Sequence, residues 1–89
     1  MNKERTKKER ILEVLHDEYS NDKNRGFDPI IISENTGIHL KYVKKMSRKM
    51  HRKGLVNYDE NSGNIKDKDV TLLEPGEKEY LRLINQGKA

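Results

Sequence analysis

No cysteine occurs in the 89-residue sequence, and long apolar runs are missing too. The absence of cysteine excludes disulfide bonds and thiolate metal sites, and it suits a reducing compartment. The longest apolar run is the three-isoleucine stretch at positions 30–32, far short of the roughly 18 residues that a membrane-spanning helix needs. The charged N-terminal stretch also lacks the apolar segment of a signal peptide. We therefore expect a cytoplasmic protein.

Large aliphatic residues are scarce as well. Leu, Ile, Val and Phe together fill 20 of the 89 positions, whereas charged residues make up 38% of the chain. A chain of this length buries only about 60–65% of its unfolded surface. These totals predict a single domain over residues 1–89, with a thin core and modest stability, and with residues 1–5 as a flexible arm.

Positive charge is concentrated in one stretch, residues 36–56, which contains seven Lys or Arg and no Asp or Glu. The whole chain carries a formal charge of +4, so the remainder has a charge of −3. A solvated helix face normally mixes both signs. The uniform sign favours contact with an anionic partner, with nucleic acid as the first candidate and an anionic membrane surface as the second.

Capping and turn residues divide much of the chain into helices. Thr6 opens a T-x-x-E capping box, and Asp28 stands directly before a proline, which is typical of a helix start. Gly37 and Gly54 are placed to end helices, and Glu74 begins the last one. The isoleucines of the second segment would also suit a strand, but its cap favours a helix. The predicted helices span residues 6–19, 29–36, 40–53 and 74 onward.

Two stretches between the third and last helices have the apolar pattern of strands. Residues 55–58 alternate, residues 65–73 are apolar at Val70 and Leu72, and residues 59–64 form a turn. Two helices joined through a glycine-containing turn form a helix-turn-helix unit, and the hairpin after it is a wing. The predicted fold class is α+β, mostly α, with a three-helix core, a two-stranded wing and a C-terminal helix.

Apolar and basic residues separate on a helical wheel of residues 40–53, at about 100° per residue. Val43, Ser47 and Met50 share one side. Lys41, Lys45, Arg48 and Arg52 lie on the opposite side, flanked by Lys44, Lys49 and Tyr42.

This two-sided pattern predicts that the third helix enters the DNA major groove, which is about 12 Å wide. The N-terminal half of such a helix usually meets base edges, and Lys or Arg farther along neutralises phosphates. The predicted base contacts are Lys41, Tyr42, Lys44, Lys45 and Arg48, and the predicted phosphate contacts are Lys49 and Arg52. His39, just before the helix, and the wing residues Lys66 and Lys68 complete the predicted DNA-binding set.

Three stretches resemble the winged helix-turn-helix domains of small transcriptional regulators, such as the MarR-like, PadR-like and ArsR-like groups. They are TGIHLKYV at 36–43, KGLV at 53–56 and VTLLEPGEKEYL at 70–81. The resemblance covers about residues 8–86 and implies a DNA-binding regulator. Four positions depart from the family pattern: His39 replaces a capping Ser or Thr, Ser47 a core Leu, Leu73 a capping Thr, and Ile31 an exposed charged residue.

The pattern leaves other functions open. The same domain could serve as a protein-interaction or replication-assembly module, or as a non-specific architectural DNA binder. No enzyme motif, cofactor site or metal site is predicted, because His16, His39 and His51 are scattered and suit capping or solvent-exposed roles. On the last helix, Tyr80, Leu81 and Ile84 are predicted to share one side with Leu83 exposed, which favours a homodimer through the first and last helices.

Overall fold

Four helices and a two-stranded antiparallel sheet make up the computed structural model of the protein, which describes residues 6–22 and 25–88. The proposed arm, residues 1–5, lies outside the described residues. The chain is mostly helical, in the α+β class. In order, the elements are α1 (Lys7–Tyr19), α2 (Pro29–Thr36), α3 (Leu40–Arg52), β1 (Val56–Asn57), a 3-10 helix (Ile65–Lys68), β2 (Thr71–Leu72) and α4 (Glu74–Lys88).

Local side-chain caps explain where the first two helices begin. The Thr6 hydroxyl accepts a hydrogen bond from the Glu9 amide at 3.1 Å, and the Asp28 carboxylate accepts one from the Ile30 amide at 2.8 Å. Each bond satisfies an amide that the helix itself leaves unpaired. Gly37 follows α2 with a φ of 73°, a conformation that glycine adopts without strain. The predicted helix boundaries are therefore confirmed here.

The turn between α2 and α3 is tied together by side chains on α2. The Thr36 hydroxyl donates to the Ile32 carbonyl at 2.7 Å and accepts from the Ile38 amide at 3.2 Å. The Ser33 hydroxyl donates to the Ile38 carbonyl at 2.5 Å, and the Arg10 guanidinium of α1 donates to the Thr36 carbonyl. These bonds fix the direction in which α3 leaves the turn.

One apolar cluster holds the elements together. Helix α1 packs against α2, α4 and β2, while α3 packs against α2 and β1. Fully buried side chains come from α1, α2, α3, β1 and β2, and α4 adds Tyr80 at 6% exposure. The buried apolar residues are Ile11, Leu12, Leu15, Tyr19, Ile32, Ile38, Val43, Met50, Val56, Tyr58, Val70, Leu72 and Tyr80.

The predicted returning strand over residues 65–73 is wrong for most of its length. Only Thr71 and Leu72 form a strand, paired with Asn57 and Val56, and Val70 makes a separate bridge to Phe27. Residues 65–68 form the 3-10 helix instead. The Asn64 side chain caps that helix by accepting from the Lys66 amide at 3.1 Å, and such local side-chain bonds compete with a strand ladder.

The predicted apolar side of α4 is also wrong at two positions, Leu81 and Leu83. Leu83 packs against the core together with Ile84, whereas Leu81 is 44% exposed. The reason is helical spacing. Leu83 and Ile84, three and four residues after Tyr80, share its face of the helix, whereas Leu81 directly follows Tyr80 and lies about 100° around the helix from it. Gly76, four residues before Tyr80, continues this face and lies directly against Leu55, the residue before β1, and Leu72 of β2.

Candidate nucleic-acid interface

Helix α3 has one buried face and one cationic face. Val43 and Ser47 are fully buried, and Met50 is 1% exposed. The helix contains no acidic residue. We use the name α3 cationic face for its six basic residues, all of them exposed except the half-buried Lys44: Lys41, Lys44, Lys45, Arg48, Lys49 and Arg52.

Ser47 fits the buried face although it is polar. Its hydroxyl donates a hydrogen bond to the Val43 carbonyl at 2.7 Å, so this buried oxygen is paired. The small side chain takes the place at which the winged-helix pattern has a leucine.

His39 serves as the N-cap of α3. Its Nδ1 atom accepts a hydrogen bond from the Lys41 amide at 3.2 Å, and its carbonyl accepts from the amides of Tyr42 and Val43. A ring nitrogen that accepts carries no proton, so this cap requires an unprotonated Nδ1. The capping role expected for His39 is confirmed, and it fixes the start of the helix beside the cationic face.

Five members of the α3 cationic face have no carboxylate partner within the described part of the chain: Lys41, Lys44, Lys45, Lys49 and Arg52. Their spacing makes this costly, since like charges three or four residues apart on a helix destabilise it by about 0.2–0.5 kcal/mol per pair. Lys41 also lies at the positive end of the helix dipole. The fold thus maintains an unfavourable concentration of positive charge on this face.

Arg48 differs from the other five, because its Nη1 atom donates to Glu60 Oε1 at 2.8 Å. The second carboxylate oxygen of Glu60 accepts from the Tyr58 hydroxyl at 3.2 Å. Burial, followed by the Glu60 charge, raises the pKa of Tyr58 to about 12. Sequence reasoning missed Glu60, which looked like one of several acids in a turn.

Tyr42 lies on the side of α3 that faces the start of α1. Its ring is exposed, and the Lys7 ammonium group lies 4.1 Å from the ring centroid, within the range of a cation–π contact. Lys7, Tyr42, Lys45, Met46 and Lys49 line a shallow groove between the two helices. The positive surface therefore continues from α3 onto α1.

The two predicted wing lysines occupy different surroundings. Lys68 lines a cleft together with Lys44 of α3, and Tyr58 and Glu60 lie in the same cleft. Lys66 is exposed on the 3-10 helix and does not line this cleft. Neither lysine is on a strand, which corrects the prediction that a β-hairpin presents them.

Asp67 organises the loop that carries these lysines. Its carboxylate accepts hydrogen bonds from the Asn57 amide group at 3.1 Å and from the Ser62 hydroxyl at 2.9 Å. The bond from Asn57, then that from Ser62, lowers the pKa of the Asp67 carboxyl group. The acid thus binds its own loop and does not pair with Lys66 or Lys68.

The remaining histidines lie apart from this surface or at its edge. His16 packs between α1 and α4, with its ring 4.9 Å from that of Tyr80 and its Nε2 3.5 Å from Glu77, so its predicted capping or solvent role is wrong. His51 contacts the backbone of Val56. Within the described residues, no three His, Asp or Glu side chains are grouped to hold a metal ion, and no helix is long and apolar enough to cross a membrane.

Comparison with known proteins gives no further guidance. The chain matches no protein-family model, no curated protein and no solved structure.

Proposed function

We propose that this chain is a winged helix-turn-helix protein that binds double-stranded DNA by inserting α3 into the major groove. The observation that carries the proposal is the α3 cationic face, with five basic residues that have no carboxylate partner among the described residues. Mutual repulsion makes this arrangement unfavourable in the free protein. A polyanion supplies the missing opposite charge and gains counterion-release free energy on binding.

The placement of α3 supports the same proposal. Its buried face packs on α2 and β1, so the opposite face points away from the core. The tied turn after Thr36 and the His39 cap hold the first turn of α3 in a defined direction. A rigid helix with one free face is what major-groove docking requires.

Position along α3 divides its residues by role. Lys41, Lys44 and Lys45 lie in the N-terminal half, where side chains reach base edges, and Tyr42 lies beside them. Lys49 and Arg52 lie in the last turns and bind phosphates. Lys7 and Lys68 extend the phosphate-binding surface on either side of α3.

The function that follows is transcriptional regulation in the cytoplasm, in the form of repression. A protein of this size bound across a promoter blocks access of RNA polymerase to that DNA.

The decisive experiment removes charge from α3 without changing its packing. Lys41→Gln/Lys45→Gln removes two exposed cations that have no carboxylate partner in the described structure. We expect duplex affinity at about 0.1 M salt to fall roughly tenfold or more because the base-edge contacts of Lys41 and Lys45 are lost, and the salt slope to become shallower because two positive charges leave the interface. Fluorescence anisotropy across a salt series measures both quantities.

A matched control removes the same charge elsewhere. Arg25→Gln/Lys78→Gln removes two exposed cations that already pair with Glu18 and Glu74 outside α3. We expect this variant to bind DNA nearly as the wild type does. Equal affinity loss in both variants, or binding that does not depend on salt, would rule out α3 as the DNA-binding element.

A protein-interaction module is the second candidate, and one observation favours it. Ile30 and Ile31 are adjacent on α2, and they are 52% and 44% exposed. Ile31 occupies a position that is charged in the winged-helix pattern. If Ile31→Lys leaves DNA binding intact but removes binding of a protein partner, α2 has this second role. Equal affinity for every duplex sequence would instead indicate an architectural DNA binder.

A further inference from the structure

The contact between Arg48 and Glu60 joins α3 to the loop after β1 and stands apart from the other charges of the surface. We propose that Glu60 is a specificity-determining residue, which positions Arg48 for contact with a guanine and prevents it from serving as a phosphate contact. The inference rests on the proposed DNA-binding function and deepens it.

Glu60 is held on both sides of its carboxylate. One oxygen accepts from Arg48 Nη1 at 2.8 Å, and the other accepts from the Tyr58 hydroxyl at 3.2 Å. Tyr58 is only 3% exposed and belongs to the apolar core. The guanidinium is therefore connected to the core through two hydrogen bonds, and its orientation is fixed before DNA arrives.

The hydrogen bond leaves the recognition edge of Arg48 available. Nη1 is occupied by Glu60, while Nε and Nη2 have no partner among the described residues. Those two N–H groups form a planar pair that matches O6 and N7 of guanine in the major groove. Pre-ordering a long, flexible side chain lowers the entropy cost of this bidentate contact.

The carboxylate also changes what Arg48 can bind favourably. The ion pair with Glu60 leaves little net positive charge at Arg48 to attract a phosphate. Glu60 itself also repels a nearby phosphate. A base edge carries no net charge, so the guanine contact keeps its directional hydrogen bonds. Arg48 therefore adds little to general DNA affinity and much to the choice of sequence, while the phosphate-binding Lys49 and Arg52 do the reverse.

The test begins with the full chain and a selection of preferred duplexes from a random pool. Affinity is then measured for the preferred duplex and for one in which its guanines are exchanged, across a salt series. For Glu60→Gln we expect tighter binding to the exchanged duplex and a salt slope steeper by up to about 0.9. The ratio of the two affinities should fall at least about fivefold, the equivalent of losing about 1 kcal/mol of base discrimination.

Two further variants separate charge from position. Glu60→Asp keeps the charge but is too short to hold both partners, so we expect the affinity ratio to fall without a steeper salt slope. Tyr58→Phe removes only the hydroxyl that holds Glu60, and it should lower the ratio in the same way. Glu74→Gln removes an exposed carboxylate from α4 and should leave the ratio unchanged.

The coupling to Arg48 provides the strictest outcome. In an Arg48→Ala background, Glu60→Gln should produce no further loss of discrimination, since the two residues act as one unit. An equal affinity gain for both duplexes, or a Glu60→Gln effect that persists without Arg48, would show general repulsion and overturn the inference. Wild-type binding without sequence preference would overturn it too. Wild-type chain that binds no duplex would instead refute the proposed function.

Discussion

Side-chain interactions between residues close in sequence were predictable, whereas those between residues distant in sequence were not. Thr6, Asp28 and His39 each accept a hydrogen bond from the backbone amide two or three positions ahead. Local spacing is enough to recognise such helix caps. Lys8 and Glu79 are 71 positions apart, and nothing in their local sequence indicates that they meet. The same holds for Arg48 and Glu60, so the sequence indicated which cations α3 presents but not which of them is paired.

Glu79 is the residue with the clearest expected effect on stability. Its carboxylate accepts from Lys8 Nζ at 3.0 Å and from Arg82 Nε and Nη2, both at 2.9 Å. These bonds, with Arg82 contributing most, lower the pKa of the Glu79 carboxyl group from 4.5 to about 2. Folding thus favours the ionised carboxylate, and Glu79 fastens α4 to α1.

Glu79→Gln is expected to destabilise the protein by about 1 kcal/mol at pH 7, because the partly exposed partners are screened by solvent. A lowered pKa gives stability that is complete above the unfolded pKa near 4.5 and is lost as pH falls toward 2. The difference in unfolding free energy between Glu79→Gln and wild type should therefore fall to zero as pH decreases from about 4.5 to about 2. Urea unfolding at a series of pH values measures it.

Glu34→Gln is the matched control, since Glu34 is exposed on α2 and has no ion pair among the described contacts. It should change the unfolding free energy by less than about 0.5 kcal/mol. A Glu79→Gln variant with wild-type stability at pH 7 would show that the Lys8 and Arg82 bonds contribute nothing.

At the scale of elements, the helices followed from the sequence better than the sheet did. Helix boundaries depend on caps and glycines that act locally, and they agree with prediction to within one residue at α1 and α3. Strand pairing depends on distant partners, and residues 65–68 had a closer alternative in their own side-chain bonds. The apolar pattern of Val70 and Leu72 correctly indicated a strand here, but the strand covers fewer residues than predicted.

The close approach of α4 to Leu55 and to Leu72 of β2 depends on Gly76. A Cβ atom at that position would overlap the Leu55 carbonyl oxygen and lie 2.7 Å from Leu72 Cδ1. Gly76→Ala should therefore destabilise the protein by about 1–3 kcal/mol, although alanine is the better helix former. Thermal unfolding followed by circular dichroism measures the change.

Gly63→Ala supplies the comparison, because a Cβ atom there meets nothing within 4 Å. We expect it to alter stability by at most about 0.5 kcal/mol. If Gly76→Ala proved as harmless as Gly63→Ala, α4 would not approach Leu55 and Leu72 this closely.

The whole molecule has a small core, and this is one reason to predict association with a second copy. Helices α1 and α4 pack on each other within the chain, and Leu81 remains 44% exposed on the outer side of α4. Lys78, Arg82, Asn85 and Gln86 surround it in a shallow groove. A two-fold dimer would bring Leu81 of each copy together and present two α3 helices to paired half-sites.

The homodimer thus remains a prediction with a defined test. Sedimentation equilibrium should give twice the chain mass of 10.5 kDa, and Leu81→Lys should shift the protein to monomer by burying a charge in the interface. Ile65→Lys is the control, because Ile65 is 80% exposed on the 3-10 helix, away from α4. A wild-type protein that stays monomeric at its highest soluble concentration would contradict the prediction.

The crowding of like charges on α3 gives dissolved salt two opposite effects on this protein. In the free chain, dissolved ions screen the repulsion among Lys41, Lys45 and Lys49, so they stabilise the folded state. In the proposed complex with DNA, the same ions would compete with the protein for phosphates. As ionic strength rises, the melting temperature of the free protein should therefore increase while the fraction of DNA bound decreases. A buffer that stabilises the free protein is then a poor choice for detecting DNA binding.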